Sequence, residues 1–482
     1  MGYNNNDMEN YILDFLKKFR KEAKEPVEVK KIGKSYYLYY STTYWDKEEK
    51  KRKKLSRYIG KITKDGLIKK DEERYKARSI YEYGNSKLLY EIAKGIEKEL
   101  EEAFPLWYKE IIAMGIIKVI KQVPIKMMKG VYEKIHLSKE YEAHLSENTI
   151  RERLRGIGGD WEGQKRFFES LKKGKKRIVV DLSSIFSYSR NIKIAEKGYN
   201  SKHLDIKQIN FIMIYSIDKG VPIYIRCIPG SMKEIKVMKW IIKEIDLEGG
   251  IVILDRGFSS YELVELLQEK GIKYIIGLQR GFKIINYKKE LEGSFSYRDR
   301  GIYSSREKSK WGWVYLYEDI RMRSEEEINY IREIEEGRKK KEEMKKEKEK
   351  FGRIALISNL DLSEKEIYIY YKQREEIEIL FDAMKNELES DKAYLQDEEG
   401  LRGYFFINFI SMYIYSKVLQ LLKEAEMIDK VSVKELLLEL SKVYMIYYKD
   451  GKRHLSEIPK KVEEYCNKLN LNLFPKILRS FD

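Results

Sequence analysis

Four polar residues of different chemistry lie at helical spacing in the C-terminal half of the chain. Tyr371, Arg374, Glu378 and Lys385 fall within an arc of about 60° when successive residues are turned by roughly 100°. The stretch 371–385 contains no Gly or Pro, so the sequence predicts one continuous helix. Such a helix would hold a carboxylate between a phenol and two cations, which suits a metal-bound phosphate.

A simpler interpretation of this stripe also exists. Charged stripes are usually the solvated faces of helices, and Glu378 could merely pair with Arg374 one turn earlier. The composition alone gives about 0.24 chance matches to a Tyr-x2-basic-x3-acidic-x6-basic pattern. The stripe is therefore a hypothesis that depends on what lies upstream.

Two aspartates upstream end or interrupt apolar strands. Asp181 follows the apolar run 178–180, and Asp255 is the last residue of the run 251–255. The predicted elements follow the order β-β-β-α-β-α-β, with strands at residues 175–186, 208–216, 223–228, 251–255 and 273–278. This is the order of an RNase H-like domain, and in open α/β sheets ligands bind at the carboxyl ends of strands.

Asp181, Asp255 and Glu378 therefore form a candidate three-carboxylate site. Neighbouring carboxylates repel one another unless cations hold them, and hard oxygen ligands suit two Mg²⁺ or Mn²⁺ ions. Such a pair can drive in-line phosphoryl displacement. We expect Asp181 to bridge both ions and the other two carboxylates to bind one ion each. Taken singly, either aspartate would more simply cap a strand end.

The composition bounds the rest of the interpretation. The 482 residues carry a net charge of +17, which indicates a polyanionic partner, either nucleic acid or a membrane surface. A generally Lys-rich proteome is the alternative explanation. Two distant cysteines and four scattered histidines favour neither disulfides nor a zinc site, and fit a reducing cytoplasm. No signal peptide is evident, and the apolar stretch 405–422 contains enough polar residues to favour a buried helix over a membrane span. We expect a cytoplasmic, nucleoid-associated protein.

The predicted fold is an α/β catalytic core with an RNase H-like mixed sheet flanked by helices and interrupted by a β-rich insertion. A small β-hairpin module precedes it, with a charged turn at 46–54, and helical N- and C-terminal regions flank it. The expected organisation begins with a helix and hairpin module (1–70) and a helical region that is a candidate for DNA binding (71–173). The core's first part (174–281), an insertion with strands and a charged helix at 325–350 (282–352), the core's second part (353–430) and a helical end (431–482) follow.

With these residues in place, the chain resembles an insertion-sequence DDE transposase of the IS-four-like superfamily. Its Tyr371, Arg374, Glu378 and Lys385 match the Tyr-x2-Arg-x3-Glu-x6-Lys signature of that superfamily. Asp255-Arg-Gly-Phe258 resembles its second-aspartate motif, and Asp181 after Ile178-Val-Val resembles the first. The resemblance covers residues 174–425 well and the hairpin module more weakly.

The resemblance implies cut-and-paste transposition by a homodimer bound to terminal inverted repeats and then to target DNA. It also implies a mainly β insertion between Asp255 and Glu378. Arg374, Lys385 and Tyr371 are expected to hold the DNA backbone. Trp311 or Trp313 could stack on a flipped base, although a core tryptophan is the alternative for each.

Three other functions stay open on the sequence alone. An RNase H-like nuclease would hydrolyse DNA without joining it. A host-adopted DNA-binding protein would have lost the chemistry, although all three carboxylates are present. A basic scaffold protein would carry the motif by accident.

Overall fold

The computed structural model divides the chain into two compact units. One comprises Met1–Gly84, Ser441–Glu464 and Asn472–Asp482, and the other comprises Asn85–Leu440 and Tyr465–Leu471. The residues that the structure describes are 9–23, 26–46, 50–69, 77–172, 174, 177–187, 189, 191–198, 206–245, 247, 249–375, 378 and 397–475.

The described residues up to 172 form one helix and five strands and then a run of helices. Up to residue 172 the elements are α1 (Asn10–Glu22), β1 (Val27–Ile32), β2 (Ser35–Asp46), β3 (Lys51–Thr63), β4 (Gly66–Lys69), β5 (Ala77–Glu82), α2 (Gly84–Ala103), α3 (Tyr108–Ile120), α4 (Met128–Tyr132), α5 (Leu137–Glu140), α6 (Glu147–Gly159) and α7 (Trp161–Lys172). The helices agree with the apolar periodicity of this region.

Strands and helices alternate in the next part of the chain. They are β6 (Arg177–Phe186), β7 (Glu196–Lys197), β8 (Lys207–Ser216), β9 (Val221–Pro229), α8 (Glu234–Glu244), β10 (Ile251–Leu254), α9 (Tyr261–Glu269), β11 (Lys273–Gly277), β12 (Gly293–Tyr297), β13 (Arg300–Ser309), β14 (Gly312–Asp319), α10 (Ile320–Glu335), α11 (Met344–Lys348) and β15 (Arg353–Ser358). The last elements are α12 (Glu364–Lys372), α13 (Glu398–Glu424), α14 (Val433–Leu440), β16 (Tyr444–Tyr448), β17 (Arg453–Leu455) and α15 (Lys460–Lys468).

A large mixed sheet organises the second unit, so the predicted α/β class is confirmed. Its strand order is β12-β13-β14-β15-β11-β10-β6-β8-β7, and β9 also pairs with β8. The pairs β6–β8 and β8–β9 are antiparallel, whereas β10 lies parallel to both β6 and β11. From residue 208 onward β8 is buried, as are the last three residues of β10, so both faces of these central strands are covered.

The segment between β11 and β15 extends this sheet. Strands β12, β13 and β14 pair in sequence and join it through β15. The prediction of one charged helix at 325–350 is wrong in its bounds. The structure has two helices there, α10 at 320–335 and the short α11 at 344–348. Gly337, with φ near +72°, ends the first helix in a left-handed conformation that favours glycine.

Helix α13 is the one described helix that is long and apolar enough to span a membrane by length and composition. Of its most apolar window, 72% is buried inside the protein. It packs against α3, α6 and β9, where aromatic residues such as Phe405, Phe406 and Phe409 fill the contacts. The prediction of a buried helix at 405–422 is therefore confirmed.

Two glycines allow α6 and α13 to cross at close range. A Cβ on Gly158 would lie 1.8 Å from the Glu399 carbonyl oxygen, and one on Gly403 would lie 1.9 Å from that of Leu154. Because backbone cannot move aside as a side chain can, we expect Gly158→Ala or Gly403→Ala to destabilise the fold by about 3 kcal/mol. Denaturant unfolding measures this. Gly95→Ala is the matched control, since its Cβ meets nothing within 4 Å; equal stability of all variants would contradict the account.

The N-terminal module is a four-stranded antiparallel sheet. The prediction of a two-stranded hairpin therefore missed two of its strands. Its order is β1-β2-β3-β4. Ile12 and Leu16 of α1 pack with Tyr36, Leu38 and Ile62 to form its core. The charged residues 51–54, predicted as a turn, belong to β3, because pairing with the aromatic strand β2 outweighs their low strand propensity.

The C-terminal region is not wholly helical, which corrects the prediction for 431–482. Strands β16 and β17 form a hairpin, and β5 pairs with β16 to give a three-stranded sheet. Strand β5 itself lies in the region predicted as mostly helical. The aromatic run 444–448 followed by Gly451, with φ near +86°, is a hairpin signal that helical periodicity on either side obscured.

Candidate active site

The strand register places the two predicted aspartates side by side. Leu254 of β10 pairs with Val180 of β6, and these strands are parallel. Asp255 follows Leu254 and Asp181 follows Val180, so the two aspartates lie at the same level beside each other. Asp255 starts the short 3-10 turn Arg256–Phe258, which turns the chain out of the sheet at its carboxyl edge.

Helix α12 brings a phenol to Asp255. The helix starts with a capping box, in which Ser363 and Glu366 satisfy each other's backbone N–H groups. Its last turn carries Tyr371, whose hydroxyl donates a 3.3 Å hydrogen bond to Asp255 Oδ1. Burial and the charge of Asp255 raise the pKa of Tyr371, so the phenol stays protonated and acts as a donor.

The guanidinium of Arg374 joins two of the carboxylates. Its Nη2 lies 3.6 Å from Asp255 Oδ1, and its Nη1 lies 2.9 Å from Glu378 Oε1. The side chain is 15% exposed, compared with 49% for Glu378. Burial works against the charge of Arg374, but the surrounding acids, Asp255 foremost, outweigh it and raise its pKa. Arg374 thus stays cationic in the middle of the cluster.

Asp181 is the carboxylate whose environment is least favourable to charge. Burial raises its pKa to about 7, and the negative charges of Asp255 and Glu378 add to this rise. Arg374 and the 2.9 Å hydrogen bond from the Leu182 N–H act in the opposite direction. Burial therefore disfavours the charged form of Asp181, and the cation of Arg374 offsets only part of that cost.

The cost of burying the Asp181 carboxylate leads to a prediction about stability. The pKa of Asp181 is above its ordinary 3.8 in the fold, so the carboxylate costs stability increasingly as pH rises from about 4 to about 7. Without divalent cations, we expect Asp181→Asn to stabilise the protein by roughly 2 kcal/mol at pH 8 and by less at pH 5. Thermal unfolding in EDTA checks this, with exposed Asp429→Asn as control. A loss of stability, or a gain that does not change with pH, would contradict it.

The predicted stripe does not lie on one uninterrupted helix. Helix α12 ends at Lys372, and residues 373–374 form a turn in which the Arg374 N–H bonds to the Tyr371 carbonyl. The prediction of a continuous helix from residue 371 is therefore wrong at its start, although the Arg374–Glu378 contact survives. Lys385 lies outside the described residues.

The two predicted tryptophans lie in and beside the β13–β14 hairpin turn, and each is partly exposed. Trp311 stacks on Tyr261 of α9 with ring centroids 4.2 Å apart, and its indole N–H donates to Glu265. The Arg306 guanidinium lies 4.5 Å from the ring centroid of Trp313. Both side chains are partly buried against these neighbours, and a DNA-stacking role stays a prediction.

The donor set suits a hard divalent cation, although it is not preassembled. Within the described ranges, no group of three or more His, Cys, Asp or Glu residues is arranged to hold a metal ion. The oxygens of Asp181, Asp255 and Glu378 are hard ligands, and a divalent cation would stabilise the charged form of Asp181 that burial disfavours. The carboxylates thus fit Mg²⁺ or Mn²⁺ in chemistry, with Arg374 occupying part of the space between them.

Sequence reasoning missed Gly277 at the end of β11. A Cβ there would lie 2.4 Å from the Tyr371 hydroxyl and 3.0 Å from the Arg256 N–H. The glycine leaves room for the phenol to reach Asp255. A glycine closing an apolar strand beside the site was the available signal.

Comparison with known proteins gives the family. The family model described as "Transposase DDE domain" matches residues 172–414, half of the 482 residues, and the chain therefore belongs to this family. The match includes all three predicted carboxylates. No curated protein sequence matches the chain significantly. A solved structure of piggyBac transposase in a synaptic complex with hairpin DNA is 13% identical, covering 74% of this chain and 78% of that chain with a TM-score of 0.38.

Proposed function

We propose that this chain is a cut-and-paste DNA transposase of the IS-four-like superfamily, which cleaves transposon ends and joins them to target DNA. The observation that carries the proposal is the convergence of Asp181, Asp255 and Glu378 around Arg374 within the matched family domain. In this proposal the central strands form an RNase H-like core. The segment from β12 to α11 is its insertion.

Each carboxylate has a role that its position supports. Asp181 lies within a strand, and the charges of both Asp255 and Glu378 act on its carboxylate, which suits a bridging ligand. Asp255 and Glu378 would each hold one of two Mg²⁺ or Mn²⁺ ions. When bound, such ions activate an attacking oxygen and stabilise the leaving oxygen of a phosphodiester.

The other residues of the site would hold DNA. Arg374 Nε is buried and has no hydrogen-bond partner among the described residues, so it keeps a donor for a phosphate oxygen. Tyr371 fixes Asp255 through its hydroxyl. Lys385, Trp311 and Trp313 are proposed as further contacts to the DNA backbone or to an extruded base. The proposed partners are the terminal inverted repeats and target DNA, bound by a cytoplasmic homodimer.

The test of this function is joining. Purified full-length protein is incubated with Mg²⁺, a supercoiled plasmid and a labelled duplex that ends in the element's cleaved 3′-hydroxyl. The proposal expects label covalently joined to the plasmid. Cleavage of uncut end DNA without any joining would favour a hydrolytic nuclease, and binding without cleavage would favour an adopted DNA-binding protein.

Gly277 offers a second check on this site. We expect Gly277→Ala to lower the cleavage rate about tenfold, because the new methyl group displaces the Tyr371 hydroxyl from Asp255. Tyr371→Phe should cause a similar loss without the steric clash. Gly281→Ala is the control, since its Cβ meets nothing within 4 Å. Unchanged cleavage by both site variants would show that the phenol does not position Asp255.

A further inference from the structure

The N-terminal sheet extends into a two-stranded ribbon. Pairing with β1 stops at Tyr40 of β2, and pairing with β4 starts at Gly60 of β3. Residues 41–46 and 51–56, named here the ribbon, pair with each other in the sheet, and at its base the Ser41 N–H also bonds to the Pro26 carbonyl. At about 3.3 Å per residue each strand of the ribbon spans roughly 20 Å.

The base of the ribbon is held firmly. The core beneath it contains Tyr36, Leu38 and Ile62, each at most 2% exposed, packed on α1. Just before the ribbon, the rings of Tyr37 and Tyr39 contact Tyr58 across the strands. The sheet thus offers a rigid platform from which the ribbon projects.

The ribbon exposes both positive charge and large apolar side chains. Strand β3 contributes Lys51, Arg52, Lys53 and Lys54, and Asp46 is the one acidic residue among the described residues 41–46 and 50–57. Trp45 is 58% exposed, Tyr44 49% and Leu55 59%. The register sets Trp45 opposite Arg52 and Tyr44 opposite Lys53. Each face of the ribbon therefore carries an aromatic ring with a cation directly across from it.

Ion pairs hold two of these cations within the sheet. Lys53 pairs with Asp46 at 2.6 Å and Lys54 with Glu28 of β1. Arg52 and Lys51 are exposed on the same strand and add further positive charge. A surface that combines such charge with exposed aromatic residues is complementary to duplex DNA, which presents phosphates on its backbone and base edges in its grooves.

Resting on the proposed function, we propose that the ribbon enters the major groove of the transposon-end DNA. A two-stranded β-ribbon fits the width of that groove. Trp45 and Tyr44 are consecutive in β2 and so lie on opposite faces of the ribbon. Trp45 would face the base edges, while Tyr44 and the Lys and Arg side chains would contact the sugar-phosphate walls of the groove. The ribbon would then be an end-recognition element separate from the catalytic carboxylates.

Salt-dependent binding tests the charge component. Full-length Lys51→Gln/Arg52→Gln protein is compared with Lys345→Gln/Lys346→Gln, which removes two exposed charges of α11 instead. The ribbon variant is expected to bind end DNA about tenfold more weakly and to lower the slope of log K against log salt by about 2. The control should match wild type. Equal binding by the two variants would overturn the inference.

Guanine N7 methylation by dimethyl sulfate tests whether the ribbon enters the major groove. Wild type should protect N7 positions within the terminal repeat, and Trp45→Ala, which should fold because Trp45 is exposed, should lose part of that protection. Absent N7 protection with intact binding would overturn major-groove entry and leave the proposed function standing. If wild type neither binds nor cleaves end DNA, the proposed function fails and the inference falls with it.

Discussion

Asp181→Asn, Asp255→Asn and Glu378→Gln are each expected to lower strand cleavage of transposon-end DNA by about a thousandfold or more. Each change removes one anionic oxygen ligand while keeping the shape of the side chain. A loss of about 4 kcal/mol in transition-state stabilisation corresponds to this factor. Single-turnover cleavage in Mg²⁺, with the three variants beside wild type, measures it.

Binding of DNA should survive these substitutions, since each replaces a negative charge with a neutral group. A matched control is Asp429→Asn, an exposed change remote in sequence from the site, which should cleave as wild type does. If Glu378→Gln cleaves normally, the third ligand is assigned to the wrong residue. If all three variants cleave, the site itself is wrong.

Arg374→Ala is expected to destabilise the metal-free protein by about 2 kcal/mol and to reduce cleavage about a hundredfold. The guanidinium lies within 3.6 Å of Asp255 and 2.9 Å of Glu378, and removing it leaves neighbouring acids without their cation. The partial exposure of both acids keeps the expected loss below that of a fully buried pair. Mg²⁺ should stabilise this variant more than it stabilises wild type, because the ion restores positive charge.

Thermal unfolding with EDTA and with Mg²⁺ separates these effects. Arg374→Lys keeps the charge but loses the planar fork, so its stability should lie between those of wild type and Arg374→Ala. An Arg374→Ala protein as stable as wild type in EDTA would show that the guanidinium does not hold the carboxylates together.

The strand order around the site was predictable from the chain alone. Apolar runs end at Asp181, within β6, and at Asp255, just after β10, and the parallel pairing of these strands places the two aspartates at the same level. The contact between Arg374 and Glu378 was likewise predictable, since residues four apart are neighbours on a helix.

Other features depend on tertiary contacts that a local pattern does not encode. The turn at 373–374 interrupts a stretch with good helix formers, so propensity predicted a helix through it. The charged residues 51–54 form a strand because β2 supplies their partners. Gly277 matters only because Tyr371, from a distant part of the chain, reaches across it.

The most direct test of the account is Mn²⁺ binding measured by electron paramagnetic resonance, with end DNA present. The account predicts that wild type binds up to two Mn²⁺ ions and that Asp181→Asn binds fewer. Competition by Mg²⁺ should release the bound ions. Wild type that binds no Mn²⁺, or Asp181→Asn and Asp255→Asn variants that bind as many ions as wild type, would contradict the claim that these carboxylates form a metal-dependent catalytic site.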